Sequence, residues 1–322
     1  MTPPRQGPPA APPLLTAALI VRDESKHIEA CLQSLAPHVD SIVVVDTGSI
    51  DDTAQRAEAA GAHVLEHTWV EDFSEARNRS LEAVEGPWAL IIDADERLEV
   101  PDGSKLSAWL AERPQLDFAR IPIRSETPSS TEEEWCIRLL RVDRGVRYRH
   151  LVHEQPIVDS RTGDDAPCSI RHLGHADGDA KARQERYLAM LSTLPEDDPH
   201  RILFTVRTLV SLGRWEEVEL WATRWAALGR SGPEDARVHF HAAVAASNRW
   251  SMEDSHRWVQ LGLARYPDHP DLLLVATALS AKRFLGGLSA VEDPEHPLHR
   301  GAGETKRWRE AAEAFLRALE QG

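Results

Sequence analysis

The sequence predicts a layered α/β domain followed by an all-helical one, and three observations carry that prediction. Up to about residue 123, short apolar runs alternate with helical stretches. Some of those runs are β-branched on both faces, as buried parallel strands require. After about residue 180 the strand signal stops and an Arg-Trp pair recurs at a repeat-like spacing. The divisions expected are a Pro- and Ala-rich disordered leader over 1–13, a sheet domain over 14–180 and a helical domain over 181–322.

Taken in order, Ala17-Ala18-Leu19-Ile20-Val21 reads as the first strand, with a helix over about 24–35. Ser41 to Asp46 is the second strand. A helix over roughly 51–60 follows it, ended by Gly61 in the usual capping position. A third strand covers 62–66, a helix 74–84, and a fourth strand Trp88 to Asp93. Such alternation builds an α/β sheet with ligands at the carboxyl ends of its strands. Segments 117–123, 135–142 and 146–152 read as strands at the sheet's edge, separated by polar loops that include Glu132-Glu133-Glu134.

In the second half, Leu212-Gly213-Arg214-Trp215 returns 35 residues later as Ser247-Asn248-Arg249-Trp250, each between two helical stretches. Breaks at Pro195, Pro233 and Pro267 punctuate the pattern. This period suits helix-turn-helix pairs of tetratricopeptide type, at about 34 residues each. A polar stretch over 292–304 precedes a last helix over 306–319. Six of the ten tryptophans (Trp215, Trp221, Trp225, Trp250, Trp258, Trp308) lie in this half at helical spacings, which points to core packing rather than sugar stacking.

A net charge of −15 argues against a nucleic-acid or membrane-surface binder, which needs a basic face. Cys31, Cys136 and Cys168 are scattered, without C-x-x-C spacing, so neither a disulfide framework nor a zinc site is expected and a cytoplasmic location is the default. The run Leu14 to Val21 is too short to span a bilayer, and no transmembrane segment or secretory signal is expected.

Two motifs suggest chemistry. Asp93-Ala94-Asp95 stands where the fourth strand ends. Two carboxylates there can turn toward one hard divalent cation, Mg²⁺ or Mn²⁺, although Asp-x-Asp is also common in solvated loops. Asp46-Thr47-Gly48-Ser49-Ile50-Asp51-Asp52-Thr53 follows the second strand. Gly48 makes its turn and Ser49 or Asp51 caps the next helix, which leaves Asp46 available to accept from a nucleobase or ribose.

These residues, with Trp69-Val70-Glu71-Asp72-Phe73-Ser74-Glu75-Ala76-Arg77-Asn78 and the opening Leu19-Ile20-Val21-Arg22-Asp23-Glu24, resemble the family-2 glycosyltransferases of GT-A fold. The nearest resemblance is to the subgroup with a tetratricopeptide-like helical tail, to which bacteriocin S-glycosyltransferases also belong. Asp23 stands where that subgroup usually has Asn. The resemblance implies a metal-dependent, inverting transfer from a nucleoside-diphosphate sugar, most simply a UDP-sugar. The acceptor would be a peptide, an envelope saccharide or a specialised metabolite.

The resemblance also implies site residues. Asp46 would contact the base, with Val21, Arg22 and Glu24 lining the nucleoside pocket. Arg77 would lie near the nucleoside or diphosphate, Asp93 on ribose or metal, and Asp95 on the metal. His153 would face the diphosphate or metal, and Glu154 is a candidate base beside Glu96 and Glu132 to Glu134. His172-Leu173-Gly174-His175 departs from the subgroup pattern at His175 and reads as a local turn. The rival readings are another nucleotide-sugar or nucleotidyl-transfer enzyme on the same sheet, and a non-catalytic protein whose helical tail binds peptide.

Overall fold

A computed structural model of the chain describes residues 13–103, 105–126, 131–158, 161–173, 180–292 and 302–321. The leader up to residue 12 and the Gly174-His175 end of the histidine motif lie outside these residues. Two units separate by their internal contacts, residues 1–179 and 180–322.

In the first unit, β1 (Leu15–Val21), β2 (Ser41–Asp46), β3 (His63–Glu66) and β4 (Trp88–Ile91) pair in parallel, in the order β3-β2-β1-β4. Later strands extend the sheet beyond β4. These are β5 (Glu96–Glu99), β6 (Phe118–Glu126), β7 (Thr131–Arg141), β10 (Gly163–Asp165) and β11 (Ser169–His172). The order continues β4-β7-β6-β11-β5, with β10 on β6. Of the segment expected as a strand over 146–152, only β8 (Tyr148–Arg149) forms, in a ribbon with β9 (Gln155–Pro156). Its polar run Arg149-His150 turns instead, with His150 and His153 at positive φ.

Alternation along the strands sorts side chains to two faces. Leu15, Leu19, Val44 and Leu90 face α1 (Ile28–Leu35), α2 (Thr53–Ala59) and α4 (Leu106–Ala111). Ala18, Ala89, Ile91 and Leu140 face Leu81 of α3 (Phe73–Glu82) and Tyr148 of β8. The α1 face shows why a short helix holds. Ile28, Cys31, Leu32 and Leu35 recur at helical spacing and are fully buried, so truncating Leu32 to Ala costs about 2–5 kcal/mol.

The second unit is helical: α5 (Ala180–Ser192), α6 (Pro199–Ser211), α7 (Trp215–Ala227), α8 (Pro233–Asn248), α9 (Met252–Arg265), α10 (Pro270–Glu292) and α11 (Ala302–Gln321). Proline opens α6, α8 and α10, where the missing N–H costs nothing. Both Arg-Trp pairs sit at hairpin turns: Trp215 starts α7, and Trp250 follows α8 at positive φ. Trp225 and Trp258 join the core with Ala242, Ala243 and Ala246. Trp250 and Trp308 do not, being 88% and 62% exposed, so core packing explains only part of the tryptophan content. At Gly262 a Cβ would come within 2.7 Å of Leu272, which shows how closely α9 and α10 approach. Within α10, Pro270–Ser289 is long and apolar enough to cross a membrane by length and composition, with mean hydropathy 1.3.

Candidate active site

The carboxyl ends of β1 and β2 are level, Val21 paired with Asp46. Beyond them the two loops are stitched together. Asp23 N–H donates to Ser49 Oγ (2.9 Å), Ile50 N–H to Asp23 Oδ1 (2.8 Å), Glu24 N–H to Thr53 Oγ1 (2.7 Å) and Ser25 N–H to Asp51 Oδ2 (3.2 Å). Ser49 and Asp51 thus bind the neighbouring loop; the α2 cap is Asp52, without a side-chain cap bond. Val21 O accepts from both N–H and Oγ1 of Thr47, while Arg22 points to solvent. Asp46 Oδ1 accepts from the N–H groups of Gly48 (2.8 Å) and Ser49 (2.7 Å), a turn that Gly48 makes at φ +103°. Asp46 Oδ2 is buried and accepts no hydrogen bond among the described residues.

The second cluster centres on Arg77. Asp72 caps α3 by accepting from Glu75 N–H, so the helix carries Arg77 and Asn78 inward from its first turns. Asn78 clamps β8, donating to Tyr148 O (3.0 Å) and accepting from Tyr148 N–H (2.8 Å). Arg77 donates through Nη2 to Asp93 Oδ1 (2.5 Å) and through Nε to Glu154 Oε1 (3.2 Å). Its Nη1 is buried with no hydrogen-bond partner among the described residues. Burial opposes the Arg77 charge, but Asp93 and Glu154 more than offset it and hold the guanidinium protonated. Burial would likewise raise Asp93, yet Arg77 and then Arg138 hold it well below the usual carboxylate range.

Arg138, which the sequence reading missed, completes this network. Its Nη2 donates to Glu96 Oε1 (2.6 Å) and its Nη1 lies 3.6 Å from Asp93 Oδ2. The available signal was the alternation Cys136, Arg138, Leu140, which puts a cation at an inward position of a strand. Glu96 also accepts from Asp93 N–H (2.8 Å), closing the Asp93-Ala94-Asp95 turn from below.

Asp95 turns the other way. Its Oδ2 lies 2.9 Å from His172 Nε2, and Ser125 Oγ holds the other ring nitrogen at 3.2 Å. The register of β11 against β5 and β6 makes this meeting, with His172 opposite Glu96 and Ser125. The Asp95 hydrogen bond raises the His172 pKa against burial. His172 is therefore part of the site and not the local turn expected of it. Glu24 also faces this cluster: burial, then Asp95 and Asp93, push its carboxyl up to about 7.

The expected metal trio Asp93, Asp95 and His153 does not assemble, because Asp93 turns to Arg77 and Asp95 to His172. Among the described residues no three His, Cys, Asp or Glu side chains converge as a metal-holding group. The fit to a divalent cation rests on a smaller set. Asp95 and His172 offer an oxygen and a nitrogen, a pair suited to Mn²⁺ more than to Mg²⁺, and the Asp95 and Asp93 charges that add to burial in raising the Glu24 carboxyl are ones a cation would neutralise. Glu154 stands beside Arg77, and its Oε2 accepts no hydrogen bond among the described residues. Of the other base candidates, Glu96 is buried and committed to Arg138, whereas Glu133 pairs with Arg124 on the surface.

Residues 16–158 match the model of the glycosyl transferase family 2. A TPR repeat-containing protein of Synechococcus elongatus is 32% identical over 247 residues, covering 70% of this chain and 59% of that protein. The SPbeta prophage-derived glycosyltransferase SunS of Bacillus subtilis is 30% identical over 149 residues, 45% of this chain and 35% of that protein. The chain thus spans between about a third and three fifths of the length of these relatives. Glucosyl-3-phosphoglycerate synthase from Mycobacterium tuberculosis, solved with Mn²⁺, uridine diphosphate and glucosyl-3-phosphoglycerate, is 26% identical over 35% of this chain and 44% of its own, with a TM-score of 0.29.

Proposed function

We propose that this chain, whose sheet unit belongs to glycosyl transferase family 2 and carries the GT-A fold, moves a sugar from a UDP-sugar to an acceptor by a single inverting displacement. The observation that carries the donor assignment is the buried, unsatisfied Oδ2 of Asp46. A buried carboxylate oxygen without a donor costs about 1–3 kcal/mol or more unless a ligand supplies one. Because Oδ1 is already taken by two backbone N–H groups, Asp46 offers one oxygen. One oxygen suits the single imide N–H of uracil or thymine, whereas guanine presents two adjacent donors.

Asp95 and His172 would hold a divalent cation, which supplies charge neutralisation for the departing diphosphate. The chain's own residues do the rest. Arg77, held by Asp93 and Glu154, keeps a fixed positive charge beside the Asp93 turn that follows β4. Glu154, oriented through Oε1, has Oε2 available to take the proton of the acceptor nucleophile.

Calorimetric titration of UDP with Mn²⁺ tests this reading, together with a product assay on UDP-, TDP- and GDP-sugars. The expected result is release of UDP, not pyrophosphate, and a clear preference for UDP- over GDP-sugars. Pyrophosphate release would assign the site to nucleotidyl transfer. Absence of UDP binding would remove the donor assignment.

A further inference from the structure

A cavity of about 500 Å³ opens beneath the β8–β9 ribbon. Its floor is one face of two paired strands: Leu90 lies opposite Leu139, so Ile91 and Asp93 of the β4 end share a side with Arg138 and Cys136 of β7. Arg77, Tyr148 and Arg149 line its walls. Three guanidinium groups therefore border a space whose two carboxylates, Asp93 and Glu154, are each already paired with Arg77, while Arg138 is paired with Glu96 behind the floor and lies near Asp93. Arg77 is 5% exposed and its Nη1 has no hydrogen-bond partner among the described residues. Arg149 makes no ion pair among the described residues. Arg149 and the Nη1 of Arg77 are thus the cationic groups left over at the cavity, in the more acidic of the two units, and they need a reason. Neither Asp46, Asp95 nor His172 lines the cavity, which separates it from the nucleoside and metal positions argued above.

We propose that this cavity is an anion site, taking a carboxylate or phosphate carried by the transferred sugar or by the acceptor rather than the donor's diphosphate. The proposal rests on the glycosyltransferase reading only for naming the carrier of that anion. Arg77 Nη1 supplies a buried, preformed donor, Arg138 a second cation on the floor, and Arg149 a third at the wall. Guanidinium forks match both carboxylate and phosphate oxygens. Burial pushes the Tyr148 phenol up to about 12, so its hydroxyl remains a donor at the same surface. The Glu154 carboxylate on the same wall sets the acceptor nucleophile within the space that the anion anchors.

The test titrates inorganic phosphate into protein saturated with UDP and Mn²⁺, comparing the parent chain with Arg149→Glu and Arg149→Lys. Arg149 is exposed and unpaired in its ribbon, so both variants are expected to fold, and unchanged UDP affinity checks this. Phosphate should bind alongside UDP. Arg149→Glu should weaken it by about tenfold or more, and Arg149→Lys by only about threefold, as loss or retention of one charge-assisted contact implies.

A second arm repeats the titration with UDP-glucose and with UDP-glucuronate. If the sugar carries the anion, UDP-glucuronate binds more tightly and excludes phosphate. If the acceptor carries it, phosphate binds equally beside either donor. Phosphate that competes with UDP itself, that binds Arg149→Glu as well as the parent, or that does not bind in the millimolar range overturns the proposal. Phosphate binding that depends on Arg149 in a protein without UDP affinity would leave the anion site standing and remove the glycosyltransferase reading.

Discussion

The two units handle charge in opposite ways. Residues 180–322 hold 19 Lys and Arg against 20 Asp and Glu, whereas residues 1–179 hold the other 18 and 32, so the sheet unit carries −14 of the net −15. Among the described residues the helical unit buries one fully enclosed acid, Asp235. It satisfies that acid with Trp225 Nε1 (3.0 Å), Arg265 Nη1 (2.8 Å) and the Tyr266 hydroxyl (3.0 Å), all from neighbouring hairpins. The sheet unit gathers its acids at strand ends and leaves Asp46 Oδ2 and Arg77 Nη1 buried without hydrogen-bond partners among the described residues. The helical unit also leaves buried polar atoms without such partners, on Thr208, Glu219, Trp258 and His269, so the difference lies in their place: those of Asp46 and Arg77 belong to charged groups beside the strand-end acids, which reads as a site awaiting ligand, with the helical unit as scaffold.

That contrast can be broken most severely at Asp95. Asp95→Asn keeps the side chain's shape and removes its charge, and should abolish metal-dependent turnover while the unfolding transition stays within about 1 kcal/mol of the parent. Full activity at ordinary Mn²⁺ concentration would remove Asp95 from the cation site. Glu154→Gln should lower turnover by about 10²–10⁴-fold, the usual cost of losing a base. A fall in UDP affinity with intact single-turnover chemistry would instead make Glu154 only the positioner of Arg77.

The helical side of the contrast is sharpened by Trp225→Ala, which removes a core ring and strips the buried Asp235 of a donor. A loss of about 3–5 kcal/mol in denaturant unfolding is expected. UDP affinity below the transition should not change, and a matching loss of UDP affinity would mean that the scaffold assignment is wrong.

The helical unit should also set an acid limit. Burial, then Arg207 and Arg237, push the His241 pKa down to about 4 from an unfolded value of 6.5. Between those pH values the unfolded chain binds the extra proton, so stability is full above 6.5 and falls as pH drops toward 4. The loss is at most about 3 kcal/mol at 1.36 kcal/mol per unit. His241→Gln should flatten that limb of the stability profile, and an unchanged limb would place the acid sensitivity elsewhere. The smallest effect expected is at Asp46. Asp46→Asn keeps the acceptor for Gly48 and Ser49 but sets an NH₂ against the base's N–H, costing about 10–100-fold in UDP affinity, the worth of one charge-assisted hydrogen bond. Unaltered UDP affinity in that variant would detach Asp46 from the base.

What the sequence by itself determined was local. Valine-rich β2 announced a buried strand, Gly48 a turn, which it makes at positive φ, Gly61 the end of α2, and Pro233 the break at which α8 starts. Each depends on the torsional preference or burial of a few consecutive residues, which spacing along the chain records. The meetings that make the site were decided by tertiary structure. Arg77 and Glu154, like Asp95 and His172, are 77 residues apart, and Arg138 reaches Glu96 across 42. The Asp95–His172 and Glu96–Arg138 pairs exist because β7, β6 and β11 insert between β4 and β5, and strand order is set by how a whole sheet closes its core, not by any short run within it. Asp93 meets Arg77 of α3 and, across β7, Arg138. A sequence motif can name a carboxylate at a strand end, but only the neighbouring strands decide which way it faces.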